Sequence, residues 1–225
     1  MQLSDRNVRW VAAVTGIALI VFIATALAVS NGMTAAIDRS LMLELREPAN
    51  RSDPIGPSWF EEAAAEFTTL GGYTVIATFA IVAALGLVIV GQWRATVFLG
   101  ASLISGVGVS TLAKQLFERS RPNLVDHLDT VTTWSFPSAH ALFGMLAWLT
   151  MATVLARFVR NNKFRAYIVS VAATIGLLIG LSRIYLGVHW PSDVLAGWAL
   201  GIAWAGTCWL TARGLGRRLR RYASP

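Results

Sequence analysis

Apolar residues run together in six stretches of this chain, and polar residues gather in the gaps between them. A hydrocarbon core about 30 Å thick is crossed by roughly 20 apolar residues in a helix, so each stretch reads as a membrane span. The first covers residues 10–29, behind Arg6 and Arg9. Ala26-Leu27-Ala28 has the look of a signal-cleavage site, but the apolar run is long for a signal peptide and the even helix count favours its retention. The second span covers about 72–90 and ends in the Gln92-Trp93-Arg94 turn. The third, about 95–114, contains Ser102, Ser105, Gly106, Gly108 and Ser110. Small residues let helices approach closely in lipid, so this helix is expected at the centre of the bundle. The fourth, fifth and sixth cover about 137–158, 166–184 and 191–211. The pattern predicts an all-α fold, a polytopic membrane helix bundle with six transmembrane helices.

Residues 30–70 have a different pattern. Ile37, Leu41 and Leu45 recur at helical spacing among Asp38, Arg39, Glu44 and Arg46, which predicts an amphipathic helix at the membrane interface. Residues 48–57 read as a turn-rich break. Trp59, Phe60, Ala63, Ala64 and Phe67 then form a second stripe opposite Glu61, Glu62 and Glu66. Both stripes are expected to pack on the bundle. With no internal repeat and no low-complexity linker, the whole of 1–225 reads as a single domain with a basic tail at about 212–225.

Composition agrees with a membrane solvent. Hydrophobic residues make up 55% of the 225, charged residues only 14%, and the mean hydropathy is +0.58. The net charge of +7 does not point to nucleic acid, because the basic residues flank apolar spans instead of clustering on one soluble face. Their distribution sets orientation instead. Of the 19 Lys and Arg, 12 fall at the two termini and in the 94 and 157–165 loops, while 11 of the 12 acidic residues fall on the opposite side. By the positive-inside rule both termini are expected in the cytoplasm, with the other loops facing outward from a cytoplasmic membrane. The lone Cys208 lies in the last span and cannot form an intrachain disulfide.

The outward loops contain three polar clusters where charge next to lipid needs a reason. One is Lys114, six residues, then Arg121-Pro122; another is Pro137-Ser138-Ala139-His140; the third is Ser182-Arg183, five residues, His189, three residues, Asp193. A phosphoryl group in transfer spreads negative charge over its equatorial oxygens and calls for fixed cations and N–H donors around them. Lys114, Arg121 and Arg183 are such cations. Ser138 and the backbone amides of Ala139 and His140 would stand at the N-terminus of the fourth span, where free amides and the helix dipole attract anions. Pro137 suits the first turn of that helix and Pro191 that of the sixth. His189, with Asp193 to orient it, suits a nucleophile toward phosphorus.

This spacing resembles that of the type 2 phosphatidic acid phosphatase superfamily, the lipid phosphate phosphatases, in its bacterial integral membrane branch. The family shares its site with the vanadium haloperoxidases. Ten positions match, within about 95–211; one departs, since the usual glycine of Pro-Ser-Gly-His is Ala139 here. Alanine fits if that position is helical and is strained if it needs positive φ. The resemblance implies that His189 attacks phosphorus to give a phosphohistidine, that Asp193 orients it, and that His140 is the general acid and later the base. It implies phosphate binding by Lys114, Arg121, Ser138, Ala139 and Arg183, with Pro122, Pro137 and Ser182 in support.

The expected activity is hydrolysis of a lipid phosphate or diphosphate on the outer membrane face, with a phosphorylated membrane lipid as substrate and no cofactor. Undecaprenyl diphosphate, phosphatidylglycerol phosphate, phosphatidic acid and a lipid A phosphate are all candidates. An acceptor lipid that resolved the phosphohistidine would make the protein a phosphotransferase, and a pocket without chemistry would make it a lipid-binding or transport protein. His127, His140, His189 and Asp193 contain zinc-type donors, but three cations among them would repel a dication, so no metal is expected. His127 itself reads as a solvated loop residue.

Overall fold

The computed structural model describes residues 5–129 and 133–222, so the two chain ends, 1–4 and 223–225, lie outside the described residues. Among the described residues, eight helices and a small ribbon follow in order: α1 (Asp5–Ser30), α2 (Ala35–Leu43), β1 (Arg46–Glu47), β2 (Asn50–Pro54), α3 (Ser58–Thr69), α4 (Tyr73–Ile89), α5 (Trp93–Phe117), α6 (Ala139–Ala156), α7 (Asn162–Tyr185) and α8 (Pro191–Tyr222). α1, α5, α6, α7 and α8 are each long and apolar enough to cross a membrane. α4 has 17 residues, or about 26 Å at 1.5 Å per residue, and falls short alone. With α3 it passes as a pair bent by 52°. The expected second span is therefore not one straight helix but the longer arm of a bent helix pair, and the protein is a multi-pass membrane helix bundle.

The centre of the bundle is α6, not the glycine-rich α5. Over half of the α6 span (56%) is buried inside the protein, against 33% for α5 and 11% for α1. Leu142, Phe143, Leu146 and Ala147 of α6 pack against Leu99, Leu103 and Ala113 of α5, Ile76 of α4 and Leu200 of α8. The small residues of α5 still do what was expected locally, because Ser102, Gly106 and Ser110 are buried. Their stripe is simply one face of a helix whose Ile104, Leu112 and Leu116 look outward.

Residues 30–70 differ most from expectation. α2 forms, but its buried residues are Asp38 and Met42, while Ile37 and Leu41 are exposed. In water the apolar stripe turns to the core; beside a bilayer it turns to lipid, and the polar side is free to face protein. The turn-rich break is an antiparallel ribbon pairing Arg46 with Pro54 and Glu47 with Asn50. Along α3 the small residues pack and the large ones stay out: Ala64 meets Tyr185, Leu186 and Val188, whereas Trp59 is 64% exposed. Two boundaries also moved. Asn161 caps α7 by accepting from Lys163 and Phe164 amides, so the helix starts earlier than 166. α8 continues through the basic tail to Tyr222.

Candidate active site

The C-terminal ends of α5 and α7 and the N-terminal ends of α6 and α8 meet at one end of the bundle, bringing the three polar clusters together. The Ser138 amide donates to the Asp193 carbonyl at 3.0 Å, which ties the start of α6 to the start of α8. The turn between α7 and α8 closes through Gly187, whose φ of +77° is the left-handed conformation that glycine takes without strain.

His189 lies in that turn and is 1% exposed. Its Nε2 faces Arg121 Nη1 at 3.1 Å. On the other side of the ring, Nδ1 is 3.3 Å from Ser135 Oγ and 3.5 Å from Asp193 Oδ2. Ser135 Oγ donates to Asp193 Oδ2 at 2.5 Å, so the serine hydroxyl sits between imidazole and carboxylate. A proton on Nδ1 satisfies Ser135, and the Nε2 lone pair then accepts from Arg121. Burial, reinforced by the charges of Arg121, Arg183, Lys114 and His140, pushes the His189 pKa well below its ordinary 6.5. The ring is therefore neutral at pH 7, the form with a free lone pair.

The three cations predicted from sequence converge around this ring, and all three act on it electrostatically. The Lys114 ammonium donates to the Trp134 carbonyl. Arg121 is fixed through Nε to the Thr133 carbonyl and through Nη1 to the Val188 carbonyl, both at 2.7 Å. Burial, then the neighbouring Arg183, lowers its pKa to about 10, still charged at neutral pH. Arg183 is 1% exposed and uses Nη1 on Thr68 at 2.8 Å and on Asp129 at 2.5 Å. Among the described residues its buried Nε has no partner, and neither has the buried Ser138 Oγ. Ser138 is the N-cap of α6, with Ala139 the first helical residue and His140 the second. Orphaned donors of this kind beside a helix N-terminus are what a phosphate would satisfy.

His140 is half-buried and within electrostatic reach of Lys114, Arg121, Arg183 and Asp129. The bend between α3 and α4 packs directly on it. A side chain at Gly71 would overlap Ile179 and come within 3.3 Å of the His140 ring, so glycine permits this approach. Trp148 Nε1 donates to the Leu70 carbonyl freed by the bend, at 3.1 Å.

Other predicted positions take different parts. Ala139 is helical, as its residue type requires. Pro137 is not in the first turn of α6 but precedes the N-cap, after a cis peptide bond; Pro191 does begin α8. The hydroxyl of Ser182 donates to its own helix, to the Ile179 carbonyl at 2.7 Å, and not to the site. Pro122 is buried, and its carbonyl meets His127 Nε2 at 2.7 Å, so His127 is a tethered, exposed loop residue. Among the described residues no three His, Cys, Asp or Glu side chains are grouped to hold a metal ion.

Four contributors were missed from sequence: Ser135, Arg119, Asp38 and Asp129. Arg119 donates to Asp193 Oδ1 at 2.5 Å and to Asp38 Oδ2 at 2.7 Å. Asp38 also accepts from the Ser192 amide and hydroxyl at 2.8 and 2.6 Å. The spacing of Ser135 just before the Phe136-Pro137-Ser138 run was the one available signal.

Comparison with known proteins decides the family, because the family model described as the PAP2 superfamily matches residues 95–217, more than half of the chain. The chain belongs to the PAP2 superfamily. PAP2 relatives include phosphatidylglycerophosphatase B of Bacillus subtilis, 27% identical over 170 residues that span 73% of this chain and 79% of the relative. A decaprenylphosphoryl-5-phosphoribose phosphatase of Mycobacterium tuberculosis is 36% identical over 45% of this chain and 52% of its own length. The fold matches the crystal structure of a transmembrane PAP2 type phosphatidylglycerolphosphate phosphatase from Bacillus subtilis, with a TM-score of 0.76 and 22% identity. That match covers 92% of this chain and 98% of the other. The Aquifex aeolicus LpxE structure matches with a TM-score of 0.56 over 80% of this chain and 94% of its own. This PAP2 protein is thus a membrane lipid phosphatase.

Proposed function

We propose that it removes a terminal phosphate from a membrane lipid through a phosphohistidine at His189. The observation that carries this reading is the two-sided hold on His189: Ser135 and Asp193 on Nδ1, and a lone pair on Nε2 aimed at Arg121. Phosphate bound between Arg121, Lys114 and Arg183 would place phosphorus in front of that lone pair. Its oxygens would take up Ser138 Oγ, Arg183 Nε and the first amides of α6.

In the first step Nε2 forms a bond to phosphorus, the bond from phosphorus to the lipid oxygen breaks, and His140 gives its proton to that oxygen. Asp193, through Ser135, stabilises the positive charge on the imidazole. In the second step His140 takes a proton from water, the water oxygen bonds to phosphorus, and the P–N bond breaks back onto Nε2. Inorganic phosphate leaves. No metal is invoked at any point, since three fixed cations supply the electrostatic work.

The activities for which relatives are named support one substrate class: phosphatidylglycerol phosphate, a prenyl-linked phosphoribose and undecaprenyl diphosphate all join an anionic phosphate to a long apolar tail. The same class fits a cation cluster at the membrane end of a bundle. The excess of Lys and Arg at the two termini and in the 94 and 157–165 loops supports an orientation with this end outside a cytoplasmic membrane and both termini inside. Phosphate release by the purified protein should vanish in His189→Ala while vanadate or lipid still binds. A labelled phosphate should be trapped on His189 after alkaline quench, and an unlabelled His189 with full turnover would refute the mechanism.

A further inference from the structure

Two carboxylates and one guanidinium are buried together behind the nucleophile, and one of them comes from α2, outside the stretch that matches the family. Asp38 and Asp193 are 1% and 0% exposed, and the Arg119 side chain between them is 17% exposed. Arg119 spreads its fork: Nη1 reaches Asp193 Oδ1 at 2.5 Å and Ser192 Oγ at 2.8 Å, and Nη2 reaches Asp38 Oδ2 at 2.7 Å. The Trp190 ring stacks under the guanidinium at 5.6 Å. Only a planar fork can satisfy both acids at once; a lysine presents a single point charge.

The geometry at Asp193 gives this network a consequence for chemistry. Arg119 occupies Oδ1, which leaves Oδ2 to receive Ser135 Oγ and the Trp190 amide and to face His189 Nδ1. The rotation of the carboxylate, and with it the tilt of the imidazole, is set by where Arg119 stands. Asp38 sets that in turn. It holds the other arm of Arg119 and also accepts from the Ser192 amide and hydroxyl, donors in the first turn of the helix that carries Asp193. Asp38 thus fixes both the partner of Asp193 and the start of its helix.

We propose that Asp38 and Arg119 are positioning residues for phosphoryl transfer, acting on His189 through Asp193, and that α2 is thereby a working part of the site. The inference rests on the assignment of His189 and Asp193 made above. It is tested in the full-length protein in detergent micelles with phosphatidylglycerol phosphate as the probe, measuring kcat and KM separately and the melting temperature alongside.

Asp38→Asn and Arg119→Lys should each lower kcat by about tenfold to a hundredfold, the scale of coupling between contacting residues in one network, with KM within about threefold. In an Asp193→Asn background, Asp38→Asn should cost little more, because the group it acts through is already disabled. Ser192→Ala, which removes a single hydroxyl of the set, should give a smaller loss of kcat in the same direction and carries the test if Arg119→Lys does not fold. A kcat within twofold of wild type overturns the proposal, as does a loss that persists undiminished in the Asp193→Asn background or a rise in KM alone. Full activity of His189→Ala or Asp193→Asn would instead overturn the underlying assignment.

Discussion

Replacing Ser135 by alanine isolates the bridge between imidazole and carboxylate. The hydroxyl is 3.3 Å from His189 Nδ1 and 2.5 Å from Asp193 Oδ2, while the direct distance between the ring and the acid is 3.5 Å. N–H···O bonds weaken beyond about 3.2 Å, so of the two acceptors facing Nδ1 the serine is the nearer, and without it the ring keeps only the longer contact to Asp193 unless the backbone shifts. A hydrogen bond involving a charged group is worth about 1.5–3 kcal/mol, and at about 1.36 kcal/mol per decade this corresponds to roughly tenfold to a hundredfold in rate. The loss should appear in kcat, since Ser135 does not face the phosphate cradle. Asp193 keeps Arg119 and the Trp190 amide, so the fold should survive. Initial rates of phosphate release from lipid micelles measure the effect, with Ser135→Thr as the variant that restores a hydroxyl. A kcat within twofold of wild type for Ser135→Ala would refute the bridged arrangement and favour a direct His189–Asp193 contact.

The remaining predictions concern pH, packing and ions. His189 has a folded pKa below its ordinary 6.5, so the unfolded chain binds more protons between those two values. Its contribution to stability is complete above about pH 6.5 and declines as pH falls below it, and the acid limb of kcat/KM should lie below pH 6.5 as well. At the alkaline end, KM should rise as pH approaches the Arg121 value of about 10, measured across a buffer series. Gly71→Ala would push a methyl into Ile179 and toward the His140 ring, an overpacking worth about 1–3 kcal/mol that should lower both melting temperature and kcat. EDTA should leave the rate unchanged and vanadate should compete with substrate; a loss in EDTA that zinc restores would overturn the metal-free mechanism.

Much of the candidate site was legible because its polar residues are concentrated in short runs at fixed spacing. Lys114, Arg121, Ser138, His140, Arg183, His189 and Asp193 stand out as polar residues beside apolar spans, where water is not available to explain them. Arg119 was passed over for the opposite reason: it lies among Glu118, Ser120 and Arg121, where one more charge looks like an ordinary loop. Asp38 was hidden by the pattern itself. The stripe of Ile37 and Leu41 marks the side of α2 that leaves water, and the stripe cannot say whether that side meets protein or lipid. Here it faces away from the protein, so the charged side became the inner one. The bend between α3 and α4 was equally unreadable, because Leu70-Gly71-Gly72 looks like a simple entry turn until Gly71 is seen against His140.

The ion pair of Arg183 with Asp129 bears on how turnover ends. Arg183 Nη1 is already neutralised at 2.5 Å by a carboxylate whose side chain is 36% exposed. A phosphate that takes this position does so by exchange, one anion for another, and its affinity is the difference between two pairings. In the proposed mechanism, the carboxylate resumes its place when inorganic phosphate departs, and no bare guanidinium is left to recapture the product. A pocket built from Lys114, Arg121 and Arg183 alone would bind free phosphate tightly and stall. Under that mechanism the resident acid would make the site forgetful, trading places with the phosphate before and after the chemistry.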